Sequence, residues 1–340
     1  MKIAVDAMGG DHAPREVVRG AVESARSNSL SLILVGREER IREELRAVDV
    51  SGADIEVVHA SEVVEMCDVP GIALRKKRDS SIRVGLRLVA EGKASSFVSA
   101  GNSGAVMAGG LLILRKIHGV DRPAIAATIP TTHGPVVLID AGANVDCKAA
   151  HLLQFGYMGE AYSRMILRIP RPRVGVVSVG EEDSKGTDLT RDTCELFRRT
   201  GLNFVGNVEG RDFFAGKADV FVCDGFVGNV AIKTMEGMAT ALGQFLKEEI
   251  RKSTLAKVGA LLAERALRGV KDRLDYEEYG GAPLLGVRGG VFICHGSSSE
   301  RAIKNGIRAA GSLARCAVDM EIARSIAARG HPAAGAAADT

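Results

Sequence analysis

A doubly wound α/β fold with a mainly parallel central sheet is predicted by three observations. Short apolar runs rich in β-branched residues alternate with amphipathic stretches of helical length along most of the chain. The loops that follow the runs are polar and glycine-rich, as at the carboxyl ends of strands in open α/β sheets. With 46% hydrophobic residues among 340, the chain can cover both faces of a large sheet. Strands are expected at 3–6, 31–35, 55–58, 96–99, 124–128, 136–140, 174–179, 204–206, 220–223 and 291–294. Helices are expected at 14–27, 38–48, 81–91, 105–117, 149–167 and 189–200. One large domain should span 1–328, and the Ala- and Gly-rich tail 329–340 should be disordered.

Taken in order, the first run is KIAVD, and Pro14 suits the first turn of the helix that follows, with Val17, Val18, Ala21 and Val22 as its apolar stripe. Between them lies Met8-Gly9-Gly10-Asp11-His12-Ala13-Pro14. Its glycines permit close backbone approach to a ligand, the helix N-terminus favours an anion, and Asp11 and His12 add an acceptor and a titratable donor. A tight turn with a solvated Asp and His accounts for the same residues. The run FVS opens into Ala100-Gly101-Asn102-Ser103-Gly104-Ala105, an anion-cradle candidate in which Asn102 or Ser103 could instead be a simple helix cap. The run VVLI leads to Asp140-Ala141-Gly142-Ala143-Asn144, of the same kind. After VGVVSV comes Gly180-Glu181-Glu182-Asp183-Ser184-Lys185-Gly186, whose one cation, Lys185, is suited to a phosphate or a developing oxyanion. Last, VFV leads to Cys223-Asp224-Gly225-Phe226-Val227-Gly228-Asn229.

Composition excludes several classes. A net charge of +3, no tryptophan and 4% aromatic residues argue against nucleic acid. Six widely spaced cysteines without a C-x-x-C pair point to reduced thiols, neither a metal site nor a disulfide framework. Met1 runs straight into the first strand and no apolar run reaches about 18 residues, so a cytoplasmic location is expected. No G-x-G-x-x-G follows a strand, and neither a G-x-x-x-x-G-K-[ST] loop nor a G-x-S-x-G elbow occurs. Anion cradles, one lysine, amides and a histidine without an obvious nucleophile fit transfer to an oxyanion that is itself the nucleophile, such as inorganic phosphate.

The segments MGGDHAP (8–14), ALRKKRDSSI (73–82), FVSAGNSGAVMAG (97–109), IDAGANVDCK (139–148), HLLQFGYMG (151–159), VGEEDSKG (179–186), FVGNVEGRD (204–212), VCDGFVGNVAIKTMEG (222–237), YGGAPLLGV (279–287) and HGSSSERAIKNGI (295–307) carry a resemblance. In this order, over nearly the whole chain, they resemble the PlsX family of bacterial fatty acyl-acyl carrier protein:phosphate acyltransferases. Arg288, and Thr187-Asp188 after the lysine loop, depart from the family pattern. The resemblance implies a Rossmann-like α/β/α sandwich akin to isopropylmalate dehydrogenase and phosphotransacetylase, with an amphipathic helical insertion. It implies transfer of a fatty acyl group from acyl carrier protein to inorganic phosphate, a homodimer, and supply of acyl phosphate to phospholipid synthesis. No metal or organic cofactor is called for. Lys185, His12 and Asn229 are the expected catalytic residues. Gly10, Asp11, Gly101, Asn102, Ser103, Gly104 and Asn144 are expected to bind phosphate and the acyl thioester.

A separate task is expected of 245–275. Within 252–273 the apolar residues Leu255, Val258, Leu262, Ala266 and Val270 fall at helical spacing, with Leu261 beside them and a net charge of +4. A core-packing helix with a solvated face has this pattern too. In the family context, Leu255, Lys257, Val258, Leu261, Leu262 and Arg265 are expected to touch anionic lipid or the acidic carrier protein, with peripheral attachment near the membrane glycerol-3-phosphate acyltransferase. The alternatives are a phosphotransacetylase-like enzyme using acyl-coenzyme A, which bound nucleotide would reveal, and a non-catalytic docking module, which would bind carrier protein but release no thiol.

Overall fold

The computed structural model describes residues 1–274 and 278–328; the tail 329–340, expected above to be disordered, lies outside the described residues. Eleven strands form one continuous sheet: β1 (Lys2–Asp6), β2 (Ser31–Gly36), β3 (Asp54–His59), β4 (Ser96–Ser99), β5 (Ala124–Ile129), β6 (Val136–Ile139), β7 (Arg173–Val177), β8 (Asn203–Val208), β9 (Val220–Val222), β10 (Ala282–Leu285) and β11 (Gly290–Ile293). Their order is β3-β2-β1-β4-β11-β10-β5-β6-β9-β7-β8. Strands β3, β2, β1, β4 and β11 are mutually parallel, as are β6, β9, β7 and β8. The two blocks are joined through β10 and β5, which make three antiparallel pairings. Following these pairings across the sheet, the second block runs opposite to the first.

This reversal divides the strand-end loops between two edges of the sheet. The five polar loops do follow strands, but those after β1 and β4 leave one edge of the sheet and those after β6, β7 and β9 leave the other. Strand β10 itself was not read from the sequence. Pro283 interrupts a run of only four residues, and Gly281 and Gly286 bound it, so its signal is that of a loop.

Helices cover both faces. Side chains alternate across β6: Val137 and Ile139 join the core under α6 (Ala149–Met165) and α7 (Asp188–Arg198), while Val136 and Leu138 join a smaller core with Phe213 and Phe221. That second core is closed by Ala231, Ile232 and Met235 of α8 (Gly225–Lys252), a 28-residue helix. In the first block, α1 (Arg15–Asn28) packs with α2 (Glu38–Arg46) and α11 (Glu300–Arg315) on one face, and α3 (Pro70–Lys76) with α4 (Ser81–Ala90) and α5 (Ser103–Gly109) on the other. Phe97, Phe155, Phe197, Phe221 and Phe292 are fully buried, each worth about 1.5–3 kcal/mol of apolar transfer.

Two helices differ from expectation. The stretch 105–117 becomes α5 and a π-helical turn at Gly110–Leu114, stopped by Arg115 at φ 66°; the Gly109-Gly110 pair weakens regular helix there. The stretch 252–273 is two short helices instead of one. Ser253 ends α8 in extended conformation and caps α9 (Thr254–Leu262), and Ala263 separates α9 from α10 (Glu264–Leu274). No described helix is long and apolar enough to cross a membrane.

Candidate active site

In two of the strand-end loops the backbone N–H groups converge on a carboxyl of the protein itself. Asp140, fully buried at the end of β6, accepts from the backbone N–H groups of Ile125 (3.0 Å), Gly142 (3.2 Å), Ala143 (3.0 Å) and Asn144 (2.6 Å), and from the Asn144 side chain (2.9 Å). Asp6 does the same after β1, taking the Met8 N–H (3.1 Å) and the Ser99 hydroxyl (2.7 Å). Burial pushes both carboxyls up, and the donors around them pull the other way.

Several of the residues expected to bind ligand have partners within the protein. Asn144 gives its side-chain N–H groups to Pro123 O (2.7 Å) and Asp140, and its backbone carbonyl accepts the Gly225 N–H (2.7 Å). Asn102 caps α5 through Ala105 N (3.0 Å) and turns its Nδ2 to the carbonyls of Glu65, Met66 and Asp68 at 3.1–3.2 Å. The Gly101 N–H goes to Ser99 Oγ (3.0 Å). At Gly104 a Cβ would meet Pro70 Cγ at 2.6 Å, so this glycine admits the chain segment that covers α5. The Asn102 and Asn144 amides and the Gly101 N–H thus have partners within the protein, and Gly104 makes room for Pro70. Ser103 is exposed at the first turn of α5.

The other expected residues reach solvent. The Asp11 and His12 side chains are exposed, the Asp11 N–H holds Gly296 O (2.8 Å), and Gly10 lies against Ala100 and Gly296. The loops after β1, β4 and β11 therefore form one cluster. Lys185 is exposed in the loop after β7. The acids around it pair elsewhere, Asp183 with Arg198 and Glu181 with Lys217 (3.3 Å) and Arg211 (3.6 Å). Since β7 is the sheet neighbour of β9, this loop leaves the sheet beside the start of α8. Asn229 is exposed on the second turn of α8, against the Gly142 turn. Asp224 caps α8 through the Val227 N–H (2.9 Å). A Cβ on Gly228 would collide with Asp140 O, which is why α8 can begin against this loop only with glycine there.

Helix α8 links the two loop clusters. One turn beyond Asn229 on the same face is Lys233, and its Nζ lies 3.4 Å from Nε2 of His295 in the loop after β11. His295 and Lys233 carried no expectation, although HGSSS after a strand offered the signal used for the other loops. Among the described residues, no group of three or more His, Cys, Asp or Glu is gathered as metal ligands would be. Burial pushes the thiols of Cys147 and Cys194 up to about 11 and that of Cys294 to about 12, and raises Cys223 as well. These four are protonated at neutral pH and poor nucleophiles.

The architecture defines a class first: it is the fold of the phosphotransacetylases. The enzyme from Streptococcus pyogenes superposes with a TM-score of 0.63 at 20% identity, over 93% of this chain and 94% of that one. A branched-chain phosphotransacylase from Enterococcus faecalis superposes with 0.57 at 15% identity, over 92% and 99%. The sequence then gives the family. A family model described as "Fatty acid synthesis protein" matches residues 1–320. The phosphate acyltransferase of Pelotomaculum thermopropionicum is 56% identical over 310 residues, 91% of this chain and 90% of the relative, and that of Anaeromyxobacter sp. strain K is 53% identical over 342, 99% and 94%. The chain belongs to this phosphate acyltransferase family and is an enzyme of the acyltransferase class.

Proposed function

We propose that this enzyme moves a fatty acyl group from acyl carrier protein to inorganic phosphate, giving acyl phosphate for phospholipid synthesis. The observation that carries the reading is the α8 face, where Asn229 and Lys233 lie between two loop clusters, beside the half-buried Cys147 and buried Cys223 thiols, both pushed up by burial. Such a site binds and orients two substrates and leaves the attack to one of them. An ionised phosphate oxygen attacks the thioester carbonyl, the tetrahedral oxyanion forms, and its collapse breaks the C–S bond. A thiolate leaves readily, since a free thiol has a pKa near about 8.5, so strong acid assistance is not demanded.

Lys185 and Asn229 serve the carbonyl oxygen in this reading, one by charge and one by amide hydrogen bonding. Asp11 and His12 orient substrate from the first-block cluster. The enzyme works as a homodimer, and the exposed apolar residues of α9 and α10 meet an anionic membrane or the acidic carrier protein, next to the membrane glycerol-3-phosphate acyltransferase.

The test is thiol release from long-chain acyl carrier protein with and without phosphate. Release that depends on phosphate is expected, and Lys185→Ala should lower turnover by roughly a hundredfold, about 2.7 kcal/mol of transition-state stabilisation, with the fold intact. Phosphate-independent hydrolysis, or acyl-coenzyme A strongly preferred over carrier protein, would replace the reading.

A further inference from the structure

Strand β8 carries an irregularity that aims one residue at the Lys185 loop. Val174 of β7 pairs with Phe204 of β8, but Val176 pairs with Asn207, so β8 holds one residue more than its partner over that stretch. Gly206, at φ 86°, takes up the extra residue as a bulge. Strict alternation would set Phe204 and Asn207 on opposite faces. The bulge puts them on the same one: Phe204 stacks on Phe197 of α7, with ring centroids 5.1 Å apart, and Asn207 lies against Cys194 of the same helix. Asn207 is buried, and both ends of its amide are engaged. The Cys194 thiol, held protonated by burial, donates to Oδ1 at 3.1 Å, and Nδ2 donates to the backbone carbonyl of Glu182 at 2.9 Å. A carbonyl can only accept, so the end of the amide that faces Glu182 must be the amino group.

The same Glu182 carbonyl accepts the Lys185 N–H at 2.9 Å and closes the turn that presents the lysine. Asn207 therefore holds the loop at the atom on which the Lys185 backbone hangs. The Lys185 stem lies by Gly180, where a Cβ would meet Lys185 Cγ at 2.9 Å, and the loop returns through Gly186 to Thr187, the cap of α7. We propose that Asn207 is a positioning residue for acyl transfer: it fixes the Glu182–Lys185 turn and so sets the place of the Lys185 ammonium beside the start of α8. The proposal rests on the acyltransfer reading, in which Lys185 stabilises the carbonyl oxygen as it becomes an oxyanion, and adds the group that aims it. A lysine stem is flexible, so a loosened root spreads its charge over positions that miss the oxyanion. Buried beneath the loop, Asn207 acts through Lys185, and its loss falls on turnover and not on substrate binding.

The experiment combines steady-state thiol release by the full chain with hydrogen exchange read in a peptide spanning 181–187. Asn207→Leu keeps the size of the side chain and removes its donor. It should lower kcat about tenfold, leave the KM values for phosphate and acyl thioester near those of the parent, and speed exchange in 181–187. In a Lys185→Ala background the same substitution should cost nothing further, since its effect passes through the lysine. Cys194→Ser keeps a donor to Oδ1 and should stay near the parent, whereas Cys194→Ala frees the amide to turn and should lower kcat. A thermal melt checks each fold, and if Asn207→Leu does not fold, Asn207→Ser and Cys194→Ala enter the same cycle with Lys185→Ala. Losses that multiply in the double variant overturn the positioning role, and so do parental turnover and exchange in folded Asn207→Leu. Undiminished thiol release in Lys185→Ala overturns it together with the part given to Lys185. A parent enzyme without phosphate-dependent thiol release overturns the acyltransfer reading and the positioning role with it, while a failed cycle in an active enzyme overturns the positioning role alone.

Discussion

One carboxyl organises the loop after β6. Asp140 gathers four backbone N–H groups and one amide, and an asparagine in its place would turn a donor toward donors. Asp140→Asn should therefore lower unfolding free energy by about 1–3 kcal/mol, read as a shift of the urea midpoint, and should reduce turnover because the Gly142 turn rests against Asn229. A variant with parental stability would show that the buried carboxylate is not the organiser of the loop. The glycines, Asn102 and Asn144 were legible in the sequence as nest-forming residues. What filled the nests was not, since Asp6 and Asp140 look like ordinary strand ends until the backbone folds around them.

At the scale of elements, α8 and the two helices after it divide the labour. The first turns of α8 are anchored by Gly225 and Gly228, and its later exposed face carries Met238, Leu242 and Phe245. In α9, Leu255 and Leu262 are 81% and 84% exposed, so the reading of these leucines as core residues of their own chain is excluded. Replacing both Leu255 and Leu262 by Glu removes two apolar anchors, about 1.5–3 kcal/mol each if buried in lipid, and adds negative charge. Binding to anionic vesicles should collapse while thiol release from soluble carrier protein continues. If the variant instead loses its dimer on a sizing column, or melts at a lower temperature, the helices serve an interface between copies. The amphipathic spacing was plain in the sequence. The break at Ser253 was not, because its cap uses one residue inside an otherwise helical run.

For the molecule as a whole, acid sensitivity follows from carboxylates that tie distant segments together. Glu23 is held below the usual carboxylate range by hydrogen bonding to Lys304, joining α1 to α11, and Asp68 by Lys77 over α5. Burial raises Asp219, but hydrogen bonds and charge from Arg173 outweigh it and the net shift is downward, tying β7 to the start of β9. A carboxyl lowered in the folded state contributes stability above its unfolded pKa and loses it as pH falls toward the folded value. Stability should thus decline from about pH 4 downward, near the unfolded carboxyl range. Arg173→Met should cost about 2 kcal/mol at neutral pH, and the gap to the parent should narrow once Asp219 is protonated. Denaturant unfolding of both proteins at pH 7 and pH 3 measures it. A gap of constant size would remove Asp219 from the account.

The sequence alone determined the α/β class, most strands, the helix starts near Pro14, Glu38, Ser81 and Ala149, and the family, because these depend on local periodicity and on segments read in order. The tertiary structure decided the rest. Reversal of the sheet through β10 and β5 sets the strand-end loops on two edges, and the course of the first turns of α8 carries Lys233 from one cluster to His295 in the other. Residues 62 positions apart meet there through a pairing order that no local pattern encodes. The physical reason is that periodicity reports which face of an element is buried, while the partner across that face, and the direction in which a strand joins its neighbour, are settled by the packing of the whole chain.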